Sequence, residues 1–97
     1  MHYKITYKVT IETYVPKNKH KLVKRLMGKM LESKSIFDIT LIDDTMMVEY
    51  RDSTRIALSI IDGTLRVTIS SNSLDNIAKK ANEYAEIIND FLKEQEE

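Results

Sequence analysis

The sequence predicts an α+β fold: a two-layer sandwich in which one antiparallel sheet carries two helices on the same face, in the order β-α-β-β-β-β-α. Three observations carry that expectation. Tyr3 to Val15 alternates with period two, Ile36 to Ser70 divides into two hairpins that pair consistently with themselves, and apolar residues recur at helical spacing before and after them. A chain of 97 residues closes one modest core, so a single domain over residues 1–97 is expected. One face of the sheet is apolar and the other polar, which places both helices on the apolar side.

In the first segment Ile5, Tyr7, Val9, Ile11, Thr13 and Val15 alternate with Lys4, Thr6, Lys8, Thr10, Glu12 and Tyr14, and Pro16 ends the strand because it lacks a ladder donor. From about Lys19 the period changes. Leu22, Val23, Leu26, Met27, Met30 and Leu31 form a helical stripe with basic residues opposite, interrupted only by Gly28. If Asp62-Gly63 is a two-residue type I′ turn, Ile61 faces Thr64, Ile60 faces Leu65, Leu58 faces Val67 and Ile56 faces Ile69. If Asp43-Asp44 is the loop of an earlier hairpin, Leu41 pairs with Met46, Ile39 with Val48 and Phe37 with Tyr50. A loop around Asp52-Ser53-Thr54 would then bring Tyr50 opposite Ile56. Asn72 or Ser73 caps the last helix, with Asp75 favourably placed in its first turn. Its stripe is Leu74, Ile77, Ala78, Ala81, Tyr84, Ala85, Ile88 and Leu92, widened by Ile87 and Phe91, and the charged stretch Lys93 to Glu97 is expected to fray.

The sequence contains no Cys and no apolar run of membrane length, so a cytoplasmic protein without disulfide or thiolate chemistry and without a membrane partner is expected. Net charge is zero, but it is unevenly placed. Between Lys17 and Lys34 seven basic residues stand against Glu32, a balance of +6, whereas Asn72 to Glu97 carries −4. On the first helix Lys21, Lys24, Arg25 and Lys29 are either a solvated face or a strip for nucleic-acid phosphates. His2 and His20 have no companions at metal-ligand spacing, there is no glycine-rich phosphate loop, and Asp43-Asp44 reads as a turn. No metal, no cofactor and no enzymatic activity are therefore expected. Packing on the sheet accounts for Ile77, Ala81, Tyr84 and Ile88. Ile87 and Phe91 make the stripe wider than one sheet contact buries, and a partner helix would cover the excess.

The segments "KVTIETYVP", "KHKLVKRLMGKML" and "IDGTLRVTISSNSLDNIAKKANEYAEII" resemble the small dimerisation subunit of the KEOPS complex, which helps make threonylcarbamoyl-adenosine in tRNA. The likeness covers about the first 33 residues and the chain from about Arg55 onward, and includes Gly63, Ile69, Asn82 and Tyr84. Two departures mark a divergent paralogue: Ile77 and Ala78 stand where the family commonly has Leu-Arg, and Ile36 to Asp52 adds a hairpin to the family's three strands. The resemblance implies a non-catalytic subunit that pairs through strand edges, as a homodimer or with a related subunit, and docks its helices on the catalytic subunit. It implies partner contacts at Ile77, Ala81, Tyr84, Ile87, Ile88 and Phe91, and tRNA contacts at Lys21, Lys24, Arg25 and Lys29. The alternative is a stand-alone nucleic-acid-binding module that uses the basic helix.

Overall fold

Alternation in the first segment produces β1 (Tyr7–Tyr14), and the two helical stripes produce α1 (Lys19–Met30) and α2 (Leu74–Gln95). Between them run β2 (Ile36–Ile42), β3 (Thr45–Tyr50), β4 (Arg55–Ile61) and β5 (Thr64–Ser71). The computed structural model describes residues 3–96. Its five strands form one sheet in the order β1-β5-β4-β3-β2, antiparallel at every join. β1 begins at Tyr7 rather than Tyr3 because its partner ends at Ser71, opposite Tyr7, and offers no ladder beyond.

The β4–β5 hairpin has the expected register, with Ile56, Leu58, Ile60 and Ile61 opposite Ile69, Val67, Leu65 and Thr64. Asp62 and Gly63 both take positive φ, 51° and 77°, as a type I′ turn requires. In the β2–β3 hairpin Leu41 pairs with Met46 and Ile39 with Val48, but a bulge sets Ile36, not Phe37, opposite Tyr50. That irregularity lets half-buried Ile36 reach the core, while Phe37 stays 65% exposed. The β3–β4 register also differs from the expected one. Ile56 faces Val48, and Tyr50 N–H donates to the Thr54 carbonyl at 2.8 Å, because Tyr50 to Ser53 make a tight turn closed by Ser53 N–H on the Tyr50 carbonyl, with Ser53 at φ 72°. A shift of two residues preserves the faces, so the apolar side is unchanged.

That side holds the core. Val48, Ile56, Val67 and Ile69 from the sheet meet Leu22, Leu26 and Met30 from α1 and Ile77, Tyr84, Ile88 and Phe91 from α2. The opposite face is polar and tied by directly opposed ion pairs, Glu12 with Arg66 at 2.9 Å and Glu49 with Arg55 at 2.6 Å. α2 lies on β1 and β5, and α1 lies beside it on β4. Ser73 caps α2, its hydroxyl accepting from Asn76 N–H at 3.3 Å. The helix continues to Gln95, whose side chain accepts from Asn18 at 3.3 Å, so the expected fraying does not hold through Gln95, and Glu97 lies outside the described residues.

Gly28 is exposed, and a methyl group there would meet open space. Among the described residues no atom beyond its chain neighbours and the local helix backbone lies within 4 Å of the added carbon. Gly28→Ala is expected to stabilise the domain by about 0.5–1 kcal/mol, read as a higher urea midpoint with unchanged slope.

Candidate functional site

The α2 residues expected to meet a partner lie largely inside the monomer. Ile77, Tyr84, Ile88 and Phe91 are buried, with Phe91 at 0% exposure, and Ala81 and Ile87 are half-buried against the same core. The stripe is as wide as its sequence indicated, but α1 covers its flank: the Arg25 guanidinium sits 5.4 Å from the Phe91 ring centroid and forks onto Glu94 at 2.8 and 3.1 Å. The wide stripe is therefore explained within one chain. Leu74 and Ala78, also assigned to the stripe, face solvent.

The same contact divides the basic strip. Arg25 pairs with Glu94, and Lys29 lies 3.6 Å from Glu83 and 3.8 Å from Glu32. The shared hydrogen bond raises the Arg25 pKa and lowers that of Glu94, fixing both in their charged forms. Lys19 turns inward, donating to the Gly63 carbonyl at 2.7 Å. Lys21 and Lys24 remain exposed on α1. Opposite charges on the two helices thus face each other across the helical layer, whose packing rests on the shared apolar core.

The uncovered surface is elsewhere. Strand β2 is an edge of the sheet, beyond the cover of the helices, and Phe37, Ile39, Leu41 and Ile42 are 65%, 46%, 72% and 62% exposed. Beside it a groove of about 140 Å³ opens between α1 and the hairpin, lined by Val23, Met27, Leu41, Met46, Leu58 and Ile60. Asp43 and Asp44 flank it at the turn, exposed to water. Contiguous apolar side chains left in water at a strand edge mark a surface for association. The chain matches no family model, no curated protein and no solved structure. Its site must therefore be read from this geometry.

Reasoning from the sequence missed β2 as a site, although one signal was present: five of the seven residues in "IFDITLI" are apolar, the make-up of a strand covered on both faces. At the sheet edge that composition leaves apolar surface bare. Among the described residues no three His, Asp or Glu side chains converge as a metal set, and His20 is exposed on α1, while His2 lies outside the described residues. Among the described residues no helix is long and apolar enough to cross a membrane.

Proposed function

We propose that this chain is a non-catalytic protein-interaction subunit of a tRNA-modifying assembly of the KEOPS type, working in the cytoplasm and pairing through a strand edge. The observation that carries the interaction reading is the bare apolar edge β2, in a chain whose core is already closed without it. The likeness of the segments ending in Pro16 and spanning Gly63, Asn82 and Tyr84 supports the choice of assembly. In that reading the catalytic subunit carries metal and chemistry, and this chain supplies a platform. With the inner stripe of α2 spent on the core, docking to that subunit falls to the outward faces of α1 and α2.

Stand-alone nucleic-acid binding has less support. Of the four basic residues assigned to phosphate, Arg25 and Lys29 are engaged with Glu94 and with Glu83 and Glu32, leaving Lys21 and Lys24. Two exposed lysines are a small footprint for a backbone-driven interaction. Mixing the purified chain with the catalytic subunit of such an assembly tests the proposal: joint elution from a sizing column is expected, and separate elution with every subunit offered would remove it.

A further inference from the structure

We propose that the groove between α1 and the β2–β3 hairpin is the berth of an amphipathic helix from another protein, one with an apolar stripe and with Lys or Arg where it passes Asp43 and Asp44. The inference goes beyond the reading above and stands whether or not the assembly is a tRNA-modifying one. β2 and β3 belong to Ile36 to Asp52, the hairpin by which this chain departs from the family it resembles, so the resemblance does not imply this surface.

The sheet is wider than its own helices cover. α2 lies on β1 and β5, and α1 lies on β4. Residues directly opposite one another in an antiparallel pair share a face. Ile39 opposite Val48 and Leu41 opposite Met46 therefore stand on the helix side, yet Val48 and Met46 are 0% and 7% exposed while Ile39 and Leu41 are 46% and 72% exposed. Adjacent strands lie about 4.8 Å apart, so β2 is about 10 Å from β4, and packed helices lie about 8–10 Å apart. A helix over β2 would thus meet α1 at an ordinary packing distance. The matching ridge is present on α1. Leu22, Leu26 and Met30 are buried, whereas Val23 and Met27, one turn apart, line the groove, and Leu31 a turn further on is 44% exposed. Rows spaced by four residues are what a neighbouring helix packs against.

The walls of the groove select the occupant. At about 140 Å³ it is smaller than small-molecule sites of about 300–1,000 Å³, and it suits one inserted side chain of a docked segment. A further strand on β2 would complete its ladder but leave the Leu41 side chain and the groove in water. A second copy of this chain has no apolar helix stripe to offer, because those of α1 and α2 are already buried at Leu22, Leu26 and Met30 and at Ile77, Tyr84, Ile88 and Phe91. Charge then sets the partner's polar side. Ser35 to Tyr50 holds Asp38, Asp43, Asp44 and Glu49 and no Lys or Arg. Glu49 is engaged by Arg55, and Asp38 stands opposite Glu49 on the polar face. Asp43 and Asp44 are exposed beside the groove and have no ion-pair partner among the described residues. An apolar floor ending in two unpaired carboxylates is complementary to an amphipathic helix with a cationic residue beside its apolar stripe.

Synthetic peptides of about 18 residues, long enough to form a helix on binding, are titrated into the isotope-labelled full chain at low salt and followed by amide NMR. The first has a leucine stripe at helical spacing with Lys near one end, the second has Glu in place of each Lys, and the third has the composition of the first with the stripe scrambled. The first is expected to shift the amides of Val23, Met27, Leu41 and Met46 saturably and to gain helical circular dichroism. The second is expected to bind about tenfold more weakly and the third not at all. Leu41→Lys is expected to abolish binding of the first peptide, and Asp44→Lys to reverse the preference between the first two. Both residues are exposed, so the variants are expected to keep the wild-type fold. Should Leu41→Lys fail to fold, the charge reversal at Asp44 still decides. No saturable shift of the groove amides by the first peptide up to about 1 mM overturns the proposal, and so does equal affinity for the first two peptides. A peptide bound in extended form along β2, or groove amides that shift with the concentration of the chain alone, would overturn it in favour of a strand or a second copy. A peptide-binding groove in a chain that elutes with no catalytic subunit would refute the assembly alone, and joint elution with an inert groove would refute the berth alone.

Discussion

Phe91→Ala is expected to remove about 3–5 kcal/mol of folding stability, the usual cost of emptying an aromatic site in a core. Phe91 is fully buried where α2 meets α1, with Arg25 against its ring, so truncation opens a cavity where the two helices lie side by side. Arg25 also loses the surface that orients its fork onto Glu94. Against a total stability of about 5–15 kcal/mol for a domain, the loss should be plain in urea unfolding of the isolated chain. The result also separates two roles for the residue. If Phe91 were a contact for another protein, its removal would leave the isolated chain within about 0.5 kcal/mol of wild type, as surface changes do, and only assembly would suffer. An unshifted urea midpoint would return Phe91 to the interface and reopen the case for a partner on α2.

The order of elements, the buried face of each strand and the β4–β5 register were legible because each rests on a local period or on a turn that fixes its own pairing. Ile56, Leu58 and Ile60 needed only Asp62-Gly63 to find Ile69, Val67 and Leu65. What was not legible depends on neighbours. The stripe of α2 gives its width but not what lies beside it, and so Ile87 and Phe91 read as surplus until α1 was seen to cover that flank. The site was missed for the reverse reason: "IFDITLI" shows an apolar strand, and only the order β1-β5-β4-β3-β2 reveals that it has water, not a further strand, on one side. The bulge at Phe37 and the tight turn after Tyr50 follow from where Tyr50 must point, a tertiary demand that no alternation records.

Tyr50 also carries the second large expected effect. Its hydroxyl donates to the Met30 carbonyl at 2.6 Å, and Met30 is the last residue of α1, where carbonyls have no partner within the helix. Tyr84 of α2 reaches the same place, close enough for the two phenols to perturb each other, so β3, α1 and α2 meet at two phenols that are 6% and 1% exposed. Tyr50→Phe keeps the ring and strands the carbonyl, and is expected to cost about 1–3 kcal/mol, the penalty for an unsatisfied buried acceptor. The pair gives stability a pH dependence of definite sign. Burial raises both pKa values, most strongly that of Tyr84, where the neighbouring Tyr50 adds to it. The folded chain therefore keeps protons that the unfolded chain releases near its ordinary value of about 10. The contribution is complete below that value and declines as pH rises through it toward the folded values. Urea midpoints should fall between about pH 9 and about pH 11, and fall less when Tyr50 and Tyr84 are both Phe. A double variant that loses as much as wild type over that interval would mean that other groups govern the alkaline limb.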